Sequence, residues 1–74
     1  MLKDNREHAK KCLAGLVALY DPKNTKKKHS YPEIETLAVD MLADLRHLCD
    51  QFKFDFAELD RKAYSHYSAE IGGR

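Results

Sequence analysis

The sequence predicts a small all-α domain of three helices whose central helix is long. Three stretches carry apolar residues at steps of three and four, which places them on one side of an α-helix. Each stretch opens with Ser or Asp followed three residues later by Glu, the signature of a capping box. The loops between the predicted helices are short or of moderate length, which favours antiparallel packing with the third helix folded back on the second. We therefore expect a single domain over residues 1–74, with helices at about 5–20, 31–52 and 56–70.

The first helix has a predicted start and a predicted end. Asp4 and Glu7 predict a capping box at its start. Pro22 predicts its end, because proline disfavours a helical conformation at the preceding Asp21. Gly15 costs about 1 kcal/mol relative to Ala, and its missing side chain would admit another helix at close range. The side expected to face the core consists of Ala9, Cys12, Leu13, Leu16, Val17 and Tyr20.

A polar loop joins the first two helices between about Asp21 and Ser30. Its lysines cannot be buried, so we expect a solvated, mobile loop. Such a loop either serves solubility alone or contacts phosphate or an acidic partner surface. The lysines are Lys23, Lys26, Lys27 and Lys28.

The central helix gives the strongest helix signal. Ser30 and Glu33 predict a capping box, and Pro32 suits the first turn because its missing N–H is not needed there. Val39 and Ala43 lie on a flank away from the main apolar side, and small residues on such a flank can accept a partner helix. The apolar side consists of Ile34, Leu37, Ala38, Met41, Leu42, Leu45, Leu48, Cys49 and Phe52.

The third helix is predicted to begin after Asp55, with Glu58 completing a capping box. Phe54 and Leu59 are placed as a hydrophobic staple, which would determine the angle between the second and third helices. The side expected to be buried consists of Phe56, Leu59, Ala63, Tyr67 and Ile71.

Composition places the chain among globular proteins, with 43% hydrophobic and 34% charged residues. With 74 residues, a single core is only marginally sufficient, so regular helix packing or a partner subunit should add stability. Cys12 and Cys49 fall on core-facing positions and are expected to be reduced, buried thiols. The N-terminus is charged and the following apolar run is too short to span a bilayer. We therefore expect a cytoplasmic protein with no membrane association.

The net charge of +1 conceals an asymmetry along the chain. Residues 1–30 carry eight basic and three acidic side chains, or +5, whereas residues 31–74 carry five and nine, or −4. The two halves should attract each other, within one chain or between two copies. Nucleic-acid binding through the lysines is disfavoured, because the two later helices are acidic and would repel a phosphate backbone.

Spacing offers little support for zinc binding or nucleophilic catalysis. His8 and Cys12 are four residues apart on one helix and could act as two zinc ligands, but no recognisable spacing supplies the other two. Cys12 also has a role in the predicted core. The serines lack the glycine-flanked turn that exposes a hydrolase nucleophile. The simpler interpretation is therefore a chain without a catalytic nucleophile.

The acidic side of the central helix suggests a magnesium site as an alternative. Glu33, Asp40 and Asp44 align along that side, and carboxylates at helical spacing can hold Mg²⁺ when a second helix supplies more. The first helix offers acidic residues only in its opening turn. A solvated acidic face is thus the preferred interpretation, and we predict no metal and no cofactor.

Residues 35–67, ETLAVDMLADLRHLCDQFKFDFAELDRKAYSHY, resemble the second half of the MazG-like all-α nucleotide pyrophosphohydrolases. The resemblance places Asp40 at a metal-binding aspartate of that family and residues 54–56 at a short turn between helices. The sequence departs from the family at Leu37, where a glutamate is expected, and its first helix lacks the paired glutamates. The resemblance therefore implies a lost catalytic site. The chain is also similar to small helical proteins of phages and mobile elements.

The sequence favours a non-enzymatic protein-interaction module that forms a homodimer and binds another protein. The resemblance implies a phage or mobile-element accessory protein that modulates a host protein complex. The alternatives are a degenerate Mg²⁺-dependent nucleotide pyrophosphohydrolase and a weak nucleic-acid-binding protein. The residues expected to contact the partner are Lys23, Lys26, Lys27, Lys28, Val39, Asp40, Ala43, Asp44 and Arg46.

Overall fold

The computed structural model describes residues 2–72 of the chain and the side chains of residues 5–72. It contains three α-helices, with a 3₁₀ turn between the first two, and the predicted all-α fold with a long central helix is confirmed. None of these helices is long and apolar enough to cross a membrane. The elements are α1 (Leu2–Tyr20), the 3₁₀ turn (Pro22–Asn24), α2 (Tyr31–Phe52) and α3 (Phe56–Gly72).

Both ends of α2 are closed by hydrogen bonds. The Glu33 N–H donates to Ser30 Oγ at 3.4 Å, and the Ser30 N–H donates to Glu33 Oε1 at 2.7 Å, so the predicted capping box is present. At the other end Lys53 adopts the left-handed conformation with φ 62°. Its N–H and that of Phe54 both donate to the carbonyl of Cys49. The residue after the helix therefore turns the chain at once toward α3.

One prediction about α1 is wrong. The helix begins at Leu2, so Asp4 lies within it instead of preceding it; the side chain of Asp4 is outside the described residues. No helix of the described chain packs against Gly15, because a Cβ built on it would meet nothing within 4 Å. The expected end is confirmed: the helix stops at Tyr20, and the Asp21 N–H donates to the Val17 carbonyl at 2.8 Å.

The core lies between the second half of α1 and the first half of α2. Leu16, Val17 and Leu37 are buried together. Ala9 and Cys12 are exposed, which corrects their predicted place in the core, because the packed residues of α1 come from its last two turns. The partly buried residues around this cluster are Leu13, Tyr20, Ala38 and Met41.

The start of α3 is closed by Asp55. Its Oδ1 accepts from the N–H of Ala57 at 3.0 Å and from that of Glu58 at 3.4 Å, as an N-cap does. The Glu58 carboxylate pairs with Arg61, one turn along the helix. Only the forward half of the predicted capping box is therefore seen. The ring of Phe54, ahead of the cap, stacks on that of Phe52 with centroids 6.0 Å apart.

No residue of α3 is buried, although the sequence predicts a buried side. Phe56 is half-buried, whereas Leu59, Ala63, Tyr67 and Ile71 are all exposed. The molecule is flat, 35 × 34 × 17 Å, so no second layer of helices covers this side. Two contacts hold α3 near its ends: Phe56 lies beneath Arg46 of α2, and Glu70 Oε2 is 3.7 Å from His8 Nε2 of α1.

Candidate protein-interaction surface

An apolar groove separates the second half of α2 from the first half of α3. It has a volume of about 380 Å³ and is open to solvent. One side chain that lines it, Asp60, is charged, and the others are hydrophobic. Leu42 on the α2 wall is 52% exposed, so the groove is not filled from within the chain. The lining residues are Leu42, Leu45, Phe56, Leu59, Asp60 and Ala63.

Exposed tyrosines and an isoleucine continue this apolar surface along α3. Tyr64, Tyr67 and Ile71 are 65%, 55% and 53% exposed, and the rings of the two tyrosines lie 6.1 Å apart. Large apolar side chains exposed side by side mark binding surfaces more often than singly exposed ones do. We call this surface the α3 face: Phe56, Leu59, Asp60, Ala63, Tyr64, Tyr67 and Ile71.

The acidic side of α2 faces the end of α1. The Tyr20 hydroxyl donates to Asp44 Oδ2 at 2.5 Å. This hydrogen bond is the main reason that the pKa of Tyr20 rises to about 12, with partial burial and the charge of Asp40 acting in the same direction. This contact could not be predicted from the sequence, because its two residues lie 24 positions apart in the chain. Asp44 is therefore engaged within the chain, whereas Asp40 is exposed beside it.

Glu33, the third residue of the suggested magnesium site, pairs with Lys27 at 2.8 Å. The hydrogen bond from Lys27 lowers the pKa of Glu33 to about 2, with help from the Ser30 backbone. The same contact raises the pKa of Lys27. Within the part of the chain that the structure describes, no group of three or more His, Cys, Asp or Glu residues is arranged to hold a metal ion.

The lysine loop is organised around a buried histidine. The His29 side chain is only 4% exposed, and its Nε2 lies 2.9 Å from Asp21 Oδ2. Asn24 donates to the other Asp21 oxygen at 2.8 Å, and this bond, together with His29, lowers the pKa of Asp21. From the sequence, these three residues indicate only that the loop is polar. In the fold they tie the loop together, while Lys23, Lys26 and Lys28 remain exposed above it.

The predicted partner-binding residues fall in three separate places. The lysines occupy the loop, and Lys27 is already paired with Glu33. Asp40 and Asp44 adjoin Tyr20. Val39 and Ala43 are exposed on the outer flank of α2, as expected, with Val39 58% exposed. Arg46, also expected to contact the partner, reaches over Phe56 with its guanidinium carbon 4.3 Å from the ring centroid, so it borders the α3 face.

The apolar spacing of α3 is the sequence signal for the α3 face. A single helix pattern shows which side is apolar and not what covers it, so the predicted burial of this side is wrong.

The two predictions for the thiols have different outcomes. Cys49 is buried, as predicted, whereas Cys12 is exposed, and both are free cysteines.

Comparisons with protein-family models, with curated proteins and with solved structures find no match to this chain.

Proposed function

We propose that this chain is a protein-interaction module without enzymatic activity, and that it binds a protein through the α3 face. The supporting observation is the exposure of Tyr64, Tyr67 and Ile71 on a helix that buries none of its residues. Tyrosine suits such a surface, because its ring provides apolar contact area while its hydroxyl stays hydrogen-bonded. The adjoining groove accepts apolar side chains of the bound protein.

Charge on other surfaces would orient the bound protein. Lys23, Lys26 and Lys28 form a basic patch on the loop, and exposed Asp40 provides negative charge on α2. Complementary charges at the edge of an interface mainly accelerate association and determine the orientation in which the two proteins bind. We place this activity in a bacterial or phage cytoplasm, where the protein would act as an accessory that modulates a host complex.

The proposal is tested with two variants that exchange one exposed tyrosine each. Tyr67→Lys places a charge on the α3 face, and Tyr31→Lys makes the same change at an 85% exposed site on the start of α2. Proteins captured from a bacterial lysate by the wild type and by both variants are compared by quantitative mass spectrometry. We expect a protein that the wild type and Tyr31→Lys retain equally and that Tyr67→Lys loses at least tenfold.

Equal capture by all three proteins would contradict binding of another cellular protein through the α3 face. Circular dichroism of the variants guards against a trivial loss, since neither tyrosine is buried and both variants should keep the wild-type helix content.

A further inference from the structure

We infer that the α3 face binds a second copy of this chain, with the two α3 helices antiparallel and crossing at Ala63 and Tyr64. This inference rests on the proposed function, since it names the occupant of the same surface. This surface differs from the flank at Val39 and Ala43, which the sequence indicates as able to accept a partner helix.

Six of the seven residues of the α3 face exchange places with one another when the helix is reversed about the point between positions 63 and 64. The exception is Leu59, whose counterpart is Ser68. In an antiparallel pair with its two-fold axis between positions 63 and 64, each residue lies opposite the one that is equally far from the axis. Phe56 then meets the partner's Ile71, and Ala63 meets the partner's Tyr64, which sets a small side chain against a large one. An isologous interface requires this self-complementarity, and an unrelated partner does not.

Asp60 selects the antiparallel direction. It is the one acidic residue among those that line the groove, and its mate across the axis is the partner's Tyr67, whose hydroxyl can donate to the carboxylate. The chain already uses this pairing once, between Tyr20 and Asp44. A parallel pair would instead set two Asp60 carboxylates side by side. In the antiparallel pair they are about 10 Å apart along the axis, at 1.5 Å per residue.

The exposed area is sufficient for a specific dimer. Leu42, Leu59, Tyr64, Tyr67 and Ile71 are on average about half exposed. At about 200 Å² for a large apolar residue, they present on the order of 500 Å² in each copy. Two copies would bury about 1,000 Å² from these residues alone, which is the lower limit of specific interfaces. The other groove residues and Arg46 at the edge add to this area.

A disulfide across the axis tests the arrangement. Ala63→Cys places a thiol next to the two-fold axis, whereas Ser65→Cys, two residues along, points about 200° away around the helix. Both are made with Cys12→Ser, because Cys12 is exposed and Cys49 is buried. Under mild oxidation we expect Ala63→Cys to form a linked dimer at least ten times faster than Ser65→Cys. Sedimentation of the wild type should show a monomer–dimer equilibrium. Tyr67→Glu should weaken it at least tenfold, because it sets a second carboxylate opposite the partner's Asp60.

Equal cross-linking of the two cysteine variants, a wild type that stays monomeric at millimolar concentration, or a dimer unaffected by Tyr67→Glu would each overturn the inference. The proposed function has its own outcome. A monomeric wild type whose capture of another protein is lost in Tyr67→Lys overturns self-pairing and leaves protein binding by the α3 face intact. A monomer whose captured proteins are unchanged by Tyr67→Lys overturns both.

Discussion

At the scale of single residues, Glu33 shows how local chemistry secures the start of α2. Its carboxylate accepts hydrogen bonds from the Ser30 N–H and from Lys27 Nζ, and both favour the charged form. The Ser30 contact was predictable because it spans three residues and has a known sequence signature. The Lys27 contact was not, because the loop between them has no repeating pattern from which its path could be derived.

The lowered pKa of Glu33 predicts a pH dependence. A carboxyl group whose folded pKa is about 2, against an ordinary value of 4.5, stabilises the fold fully above pH 4.5 and loses that contribution as the pH falls toward 2. Lys27→Gln should raise the pKa of Glu33 toward 4.5 and shift acid unfolding of α2 to higher pH. The pKa is read from the ¹³C shift of the Glu33 carboxyl during an NMR titration.

Lys28→Gln is the matched control, since Lys28 carries the same charge on the same loop and is exposed. If both substitutions moved the pKa of Glu33 equally, the general field of the loop would be responsible and not the contact with Lys27.

At the scale of secondary structure, the ends of α2 followed the sequence, whereas the start of α1 and the burial of α3 did not. Capping residues and proline act on their immediate neighbours, so α2 was predicted to within a residue of Tyr31–Phe52. The left-handed turn at Lys53, where φ is 62°, was not predicted, because a lysine gives no sequence signal for that conformation. The exposure of α3 depends on packing between distant segments, and amphipathic spacing contains no information about that.

Gly15 supports a prediction about α1. It lies in the middle of the helix with open space around its Cα, so a methyl group added there meets no neighbour. Gly15→Ala should stabilise the protein by about 1 kcal/mol, because glycine is that much less favourable in a helix interior. The free energy of unfolding from urea titration measures the change.

Ala18→Gly, at an exposed position of the same helix, should lose a similar amount. A destabilising Gly15→Ala alongside the expected loss in Ala18→Gly would mean that another chain packs against Gly15 in solution.

At the scale of the whole molecule, stability is concentrated in a small core. Leu16 is 5% exposed and belongs to the buried cluster that joins α1 to α2, whereas Leu19, on the same helix, is 63% exposed. Leu16→Ala should cost about 2–5 kcal/mol, since the cavity adds to the lost burial. Leu19→Ala should change stability by no more than about 0.5 kcal/mol. Thermal unfolding followed by circular dichroism compares them, and equal losses would contradict this location of the core.

The opposite charges of the two halves of the chain meet at few points. Lys27 pairs with Glu33 across the two halves, and His8 Nε2 lies 3.7 Å from Glu70 Oε2. Exposed pairs of this kind contribute little to the free energy of folding, because solvent screens them. The charge asymmetry therefore adds little to the stability of the fold. Which residues pair could not be predicted, because that depends on how the loop folds around His29.

The contrast between the two cysteines gives the chain an internal reporter of its own opening. Cys49 is 3% exposed near the end of α2, whereas Cys12 is open to solvent on α1. An alkylating reagent should therefore reach Cys12 directly and reach Cys49 only when the end of α2 separates from its surroundings. The ratio of the two rates measures the free energy of that local opening. The backbone carbonyl of Cys49 accepts the hydrogen bonds that end α2, so the thiol of the same residue reports when the junction with α3 comes apart.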